Sequence, residues 1–172
     1  MAENLRFIPH VSSSKKSGGI WVYGFENDNV SEAKYNKNYL EYGCLYDWKT
    51  ACKVAPVGWH LPHDDEYEKL IDFLGGKTEG DKLKEIGTTH WHQPNEDATD
   101  KYGFTALPGG IRKFDGSGFH DLGLSAEFWT TRTDDENLAS AISLTYSNQY
   151  VMFGNYSRQK GVSVRCILDF EL

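Results

Sequence analysis

The segment GWHLPHDDEYEKLIDFLGG, residues 58–76, constrains the fold more than any other part of the sequence. Its apolar residues recur at positions i, i+3, i+4 and i+7, which predicts a helix with one apolar stripe that packs on a core. The Gly75–Gly76 pair is a typical helix end, so the helix is predicted to stop there. The stripe consists of Tyr67, Leu70, Ile71 and Leu74.

The acidic run at the start of this helix has a structural explanation. Asp64, Asp65 and Glu66 follow Pro62 and fall in the first turn, where carboxylates meet unpaired backbone N–H groups and the positive end of the helix dipole. A metal or catalytic role is the alternative, but His60 and His63 lack the i, i+4 spacing of a helical zinc pair. We therefore interpret the run as a helix start.

Length and charge restrict the class of protein. A chain of 172 residues is expected to form a single domain, 1–172, with a real core. A net charge of −7 without a basic cluster argues against nucleic-acid binding. The sequence also contains no apolar run long enough for a membrane helix, so no membrane insertion is expected.

Glycines and aromatic residues predict a loop-rich α+β domain. The chain has 17 glycines and 14% aromatic residues, typical of short strands and loops held by buried rings. Residues 12–19 are predicted to form a mobile loop and residues 26–38 a second polar excursion. Asp47 is predicted to cap a short helix that ends before Pro56 and points Cys52 inward.

The last third of the chain alternates apolar and polar residues, as strands do. Alternation is seen around residues 139–143, at Val151 and Phe153, and again over 162–166, after a predicted turn at Lys160–Gly161. Together with the helices, this pattern predicts two short helices packed on a twisted, mainly antiparallel sheet.

Several ordered phrases resemble one protein family, the Fibrobacter succinogenes major paralogous domain. YGCLYDWKTA (42–51) resembles its YGxLYxWxxA, and the helix segment resembles its GWHLPxDxEWxxLxxxLGG. Three later blocks also resemble the family: GFTALPGGIR (103–112), GFHDLGLSAEFWTT (118–131) and GVSVRCILD (161–169).

The resemblance implies a C-type-lectin-like fold, which the family shares with the formylglycine-generating enzymes, and a secreted or cell-surface location in Bacteroidetes and Fibrobacter. Those enzymes need two thiols near the C-terminal end, whereas this chain has only Cys166 there, so no catalysis is expected. MAENLRF resembles an internal family phrase, W-MAENLxY. Met1 is therefore expected to be internal, with the first strands and an export signal absent, the alternative being a shorter domain.

The loop 89–100 concentrates oxygen and imidazole groups. Asn95, Asp97 and Asp100 are candidate calcium ligands, with Glu96 beside them, although their spacing matches no EF-hand. Zinc at His90 and His92 is a further alternative, and a solvated acidic loop is the simplest one. No other cofactor is expected.

The large rings and the cysteines are interpreted as structural. Trp91 is predicted to be a packing anchor, and Trp59, Phe128 and Trp129 are predicted to fill the core. Cys52 and Cys166 are two cysteines that could pair in an oxidising compartment, with buried free thiols as the alternative.

The stretch TYSNQYVMFGNYSRQ, residues 145–159, has the composition of a recognition surface, because Tyr and Asn give contact area and adaptable hydrogen bonds at low entropic cost. A solvated sheet edge is the alternative. The candidate ligand-binding residues are Tyr146, Asn148, Tyr150, Asn155, Tyr156 and Arg158. The predicted function is a non-catalytic binding module for a carbohydrate or a protein, with a degenerate enzyme or a purely structural module as alternatives.

Overall fold

The computed structural model describes residues 3–95, 97–133 and 135–169 of the chain. The helices within these residues are α1 (Val30–Tyr35), α2 (Lys37–Tyr42), α3 (Trp48–Ala51) and α4 (Asp64–Leu74), with a 3-10 helix at Gly80–Leu83. The strands of the described residues are β1 (Ile20–Trp21), β2 (Leu45–Tyr46), β3 (Trp59–His60), β4 (Gly109–Arg112), β5 (Phe119–Leu122), β6 (Ser125–Trp129), β7 (Leu138–Thr145), β8 (Met152–Ser157) and β9 (Ile167–Leu168).

The strands form four small antiparallel sheets rather than one. Three are two-stranded, pairing β1 with β2, β3 with β9, and β4 with β5, and the fourth has the order β6-β7-β8. The mixed helix-and-strand class and the mainly antiparallel pairing are confirmed. The predicted numbers, two helices and one sheet, are wrong, since the described residues form four α-helices and four sheets. Short strands between many turns do not extend into a single sheet.

The three-stranded sheet separates two hydrophobic cores. Side chains alternate between the faces of a strand, so neighbouring residues of β6 and β7 enter different cores. Trp129 and Ala141 lie in the first core, and Phe128 and Ile142 lie in the second. Since both faces are covered, β7 is buried along almost its whole length.

Helix α4 forms as predicted and closes the second core. Tyr67, Ile71 and Leu74 are buried in that core, and Leu70 is partly buried against it. The Glu66 side chain accepts a hydrogen bond of 2.8 Å from the backbone N–H of His63, so it caps the helix start. Gly75 ends the helix in the left-handed conformation at φ 112°, where a side chain would be strained.

The prediction of a polar excursion over 26–38 is wrong, because α1 and α2 occupy most of it. Asn29 and Asn36 cap the two helices, each accepting a backbone N–H with its side-chain oxygen. Each helix buries a single side chain, Ala33 in α1 and Tyr42 in α2. Because each helix buries so little apolar surface, its sequence shows no recognisable hydrophobic periodicity.

The loop 12–19 is present, but it is anchored. Arg112 is buried and donates from Nε to the Ser14 carbonyl at 2.8 Å and from Nη2 to the Lys16 carbonyl at 2.8 Å. The same guanidinium stacks over the Trp21 ring, 4.7 Å from its centroid. The side chain of a later strand therefore fixes this loop against the domain.

The predicted final strand over 162–166 is absent. The chain there makes single bridges, from Val162 to Tyr46 and from Ser163 to Phe128, and regular pairing begins only at β9. Ser163 and Arg165 are buried like their apolar neighbours. The apolar and polar residues of this segment therefore do not point to a core face and a solvent face, because the segment is covered by the rest of the domain on both sides.

Candidate functional site

The turn between β7 and β8 forms the wall of a cleft of about 390 Å³. Four consecutive turn residues contribute to it, and two further residues come from distant parts of the chain. The lining consists of Thr78, Asp97, Ser147, Asn148, Gln149 and Tyr150. We call this site the turn cleft.

Backbone hydrogen bonds hold the turn in place. The Asn148 side-chain oxygen accepts from the Tyr150 backbone N–H at 2.9 Å, which closes a local Asx turn. The Gln149 carbonyl accepts from the Gly80 N–H at 2.7 Å, and Val151 donates to the Lys77 carbonyl at 2.8 Å. The turn is thus hydrogen-bonded to the segment after α4, so its backbone is already ordered before a ligand binds and the entropic cost of binding is small.

A buried lysine supports the turn from beneath. Lys84 is almost fully buried, and its ammonium group donates to the carbonyls of Asn148 at 3.1 Å and Thr145 at 3.3 Å. It also lies over the Trp91 ring, 5.8 Å from the centroid. Burial lowers the pKa of Lys84, while the charges of Asp81 and Asp97 oppose that shift.

The groups on the cleft surface suit a polar ligand with a flat apolar side. Tyr150 is 52% exposed and presents its ring to solvent. Gln149 donates from its side-chain amide to the Asp97 carboxylate at 3.4 Å, so an amide and a carboxylate stand together. These groups can stack against a ring and exchange hydrogen bonds with hydroxyls.

The structure brings together only part of the predicted recognition surface. Tyr146, Asn148 and Tyr150 belong to the turn, but the Tyr146 ring packs on the second core and meets the His92 ring edge-on at 6.3 Å. Asn148 and Tyr150 line the turn cleft. Two of the three turn residues are therefore placed where a ligand could reach them.

The other three predicted residues lie at the far end of β8, about six residues or 20 Å along the strand. Arg158 stacks over Trp48 at 4.5 Å and donates to the Leu138 carbonyl at 3.2 Å, so it serves packing and not display. Tyr156 is half-buried against the first core, with the Lys160 ammonium 3.7 Å from its ring centroid. Asn155 is exposed in a separate, smaller cleft. The prediction of one surface containing all six residues is therefore wrong.

The candidate calcium ligands have different partners. Asn95 is buried, and its amide donates to the carbonyls of Glu85 and Gly87. Both carboxylate oxygens of Asp100 accept from Thr105, one from its N–H and one from its hydroxyl, at 2.6 and 2.5 Å. Asp97 alone lines the turn cleft.

Among residues 3–95, 97–133 and 135–169, no group of three or more His, Cys, Asp and Glu side chains is arranged to hold a metal ion. Glu96, which stands beside the candidate ligands, lies outside the described residues. Calcium binding stays a prediction.

A second polar cluster surrounds the start of α4. The two ring nitrogens of His60 each face a carboxylate, Asp169 at 2.6 Å and Glu66 at 2.9 Å. These contacts raise the pKa of His60, with Asp169 contributing most. His63 contacts the Thr131 hydroxyl at 2.5 Å. The helix-start interpretation therefore holds for Glu66, which also joins α4 to the β3–β9 pair through His60.

Most of the large rings pack as predicted, whereas one cysteine does not. Trp91, Phe128 and Trp129 are buried, and Trp91 donates its indole N–H to the Ala106 carbonyl at 3.0 Å. Trp59 is only partly buried, at the side of the first core, so the prediction that it fills the core is confirmed only in part. Cys52 is exposed, contrary to the prediction, because α3 is shorter than predicted and Cys52 is its C-cap residue, at an end of the helix that no other described element covers closely enough to bury the thiol. Cys44 and Cys166 are buried, and neither they nor Cys52 is in a disulfide.

Several cleft residues escaped the sequence prediction. Ser147 and Gln149 lie within the Tyr/Asn-rich stretch, so their composition could have suggested them. Thr78 in the cleft and Lys84 beneath the turn carry no local signal, since they reach the turn only through the path of the chain after α4.

Comparison with known proteins identifies the family. Residues 1–168 match the model of the Fibrobacter succinogenes major domain. The chain belongs to this family. No curated protein and no solved structure shows a significant match to this family member. In the part of the chain that the structure describes, no helix combines the length and the hydrophobicity of a transmembrane span.

Proposed function

We propose that this family member is a non-catalytic module that binds a carbohydrate in the turn cleft. The observation that carries the proposal is the lining of the cleft, where the exposed Tyr150 ring stands beside amide, hydroxyl and carboxylate groups. A sugar presents hydroxyls at its edge and C–H groups on its face, so it needs both hydrogen-bond partners and an aromatic platform.

The shape of the site favours a sugar over a protein ligand. A stable protein interface buries roughly 800 Å² on each partner, over a broad and mostly flat patch. The turn cleft is instead a concave space of about 390 Å³, lined mainly by polar side chains. Small ligands bind in concavities of this kind, with a few fixed polar groups that give specificity.

The lining also favours binding over catalysis. Glycoside hydrolysis uses two carboxyl groups that flank the scissile bond. Asp97 is the single carboxylate among the described residues that line the cleft. We therefore propose a binder and not a degenerate enzyme of the formylglycine-generating type or a purely structural module.

The wider setting is proposed on the same basis. The helices, small antiparallel sheets and many turns are compatible with the C-type-lectin-like fold that the resemblance implies, and a crystal structure would test that topology directly. We further propose that the module works outside the cell or at its surface, where polysaccharides are found. Fractionation of native cells would test this location.

The binding test uses a glycan array probed with the wild-type chain and with Tyr150→Ala. We expect at least a tenfold loss of affinity in the variant, about 1.4 kcal/mol, because the stacking platform is removed. Tyr35→Ala is the matched control, since Tyr35 is 85% exposed on α1, away from the turn. Absence of glycan binding by the wild type, or equal binding by Tyr150→Ala, would refute the proposal.

A further inference from the structure

A second cavity lies between α4 and the segment that leads into β9. It has a volume of about 200 Å³, and its walls are largely apolar, with Leu70, Phe104 and Ile167 among them. Glu66, Tyr67 and Arg165 are the polar side chains with ionisable oxygen or nitrogen groups in its lining. It shares no residue with the turn cleft.

Arg165 is a buried cation that forms no ion pair with a carboxylate of residues 3–95, 97–133 or 135–169. Only 3% of the residue is exposed, and its guanidinium lies between the rings of Phe104 and Phe128, 4.4 and 5.0 Å from their centroids. None of the ion pairs formed by the described residues includes Arg165. The negative charges of Asp100 and Glu3 act on the guanidinium only from beyond ion-pair distance, and burial still lowers the pKa of Arg165 to about 10. Burying a charge without a directly paired opposite charge is costly, which makes this side chain unusual for a position in the interior.

Neutral oxygens take up only part of the hydrogen-bonding capacity of Arg165. Nε donates to the Asn4 side chain at 2.9 Å, Nη2 donates to the Thr105 carbonyl at 2.8 Å, and Nη1 donates to the Phe104 carbonyl. A guanidinium has five N–H donors, so two are left beyond these three bonds. The guanidinium, with two donors beyond these bonds, lines the cavity.

The neighbouring groups are consistent with an anion in this space. Tyr67 is buried and lines the same cavity as Arg165, and the charge of Arg165 opposes the rise of the Tyr67 pKa that burial causes. Glu66 also lines the cavity and would repel an anion, but its carboxylate is engaged by His60 and by the His63 N–H. A phenol and a guanidinium together form a carboxylate-binding pair.

We propose that this cavity binds a small organic acid, with the carboxylate at Arg165 and Tyr67 and an apolar body against Leu70, Phe104 and Ile167. The size of the ligand follows from the volume. A cavity of about 150 Å³ accommodates benzene, so a space of about 200 Å³ takes a benzene-sized body together with a carboxylate. A guanidinium in the wall favours the acid over its neutral amide, because only the acid brings a negative charge into contact with it.

The test uses sodium benzoate as the probe, with benzamide as the neutral isostere and sodium chloride at equal ionic strength. Thermal unfolding of the whole chain is measured across a benzoate titration. At ten times the dissociation constant, the midpoint should rise by about 3–6 °C for a protein of this size. Saturation-transfer NMR should detect bound benzoate and a markedly weaker signal for benzamide.

Two tryptophan variants separate cavity binding from a general effect. Leu70→Trp fills the cavity from a partly buried position on α4, which leaves Arg165 and the cores in place, and it should abolish the benzoate shift. Leu40→Trp is the matched control on α2, where the leucine is 57% exposed, and it should keep the shift. Arg165→Lys should weaken benzoate at least tenfold, because the two-pronged contact is lost.

Equal stabilisation by benzoate and benzamide, no shift in the wild type, or a shift retained in Leu70→Trp would each overturn the proposal. Because Leu70→Trp replaces a partly buried side chain and leaves Arg165 unchanged, it gives an answer even if Arg165→Lys fails to fold. The glycan test with Tyr150→Ala is independent of this result, so either proposal can fail alone.

Discussion

The buried ion pair between Glu127 and Lys160 gives the strongest stability prediction. The two side chains are 9% and 10% exposed, and their charged atoms are 2.5 Å apart. Lys160→Met removes the cation and leaves the Glu127 carboxylate buried and unpaired. Breaking one side of such a pair costs about 3–5 kcal/mol, which lowers the unfolding midpoint by about 6–20 °C in a chain of this length.

The pH dependence has a definite sign. Burial raises the pKa of Glu127, and Lys160 opposes the rise. Without Lys160, the folded-state pKa lies further above the unfolded value, so the folded protein gains stability from proton binding as the pH falls toward the unfolded pKa. The penalty of Lys160→Met should therefore be smaller at pH 5 than at pH 8.

Urea unfolding followed by tryptophan fluorescence at both pH values measures the effect. Lys37→Met is the matched control, because Lys37 is 83% exposed and pairs with Glu41 at 3.8 Å, a contact worth under about 1 kcal/mol. Replacing both Glu127 and Lys160 by Met should recover most of the loss, since no charge is left buried. A penalty for Lys160→Met no larger than the control, or one that does not shrink at pH 5, would refute the reasoning.

Three further outcomes are expected from variants elsewhere in the domain. Asp169→Asn should lower the pKa of His60 in an NMR titration. The raised folded-state pKa stabilises the protein at pH values below the unfolded pKa of about 6.5, and this stabilisation is lost as the pH rises through the folded-state pKa. The variant should therefore lose under about 1 kcal/mol of stability, and only at acidic pH. Gly80→Ala should destabilise the chain by more than about 1 kcal/mol and weaken glycan binding, because a Cβ there would come within 2.7 Å of the Gln149 carbonyl; unchanged urea unfolding and array binding would contradict this. Trp129→Phe should cost about 1–3 kcal/mol in urea unfolding, because the indole hydrogen bond to the Tyr46 carbonyl is lost, leaving that carbonyl only the Val162 N–H among the described donors, and the smaller ring fills less of the first core.

Local sequence signals predicted some elements well. Helix α4 is clear because its apolar stripe, acidic first turn and terminal glycine all agree, and the structure has the same bounds. Helices α1 and α2 each bury one side chain, so no periodicity marked them. The segment 162–166 carried a strand pattern, but its polar residues are buried as well, which alternation alone cannot reveal.

The candidate site shows the same division between local and distant information. The Tyr/Asn-rich turn was visible in the sequence, and Asn148 and Tyr150 do line a cleft. Thr78 and Asp97 complete that cleft from positions more than 50 residues away, so only the folded chain unites them. Arg158 has the composition of a binding residue, yet its stacking on Trp48 depends on a contact between distant segments.

The placement of β7 between two cores has a consequence for how the molecule can be altered. Because β7 contributes side chains to both hydrophobic cores, we expect that neither core can unfold while the other stays folded, and that the domain unfolds as one cooperative unit. The turn that follows β7 is directly connected to this strand, whose amide protons are expected to exchange with solvent most slowly. The side chains of the turn can therefore be substituted while the backbone that carries them keeps its conformation.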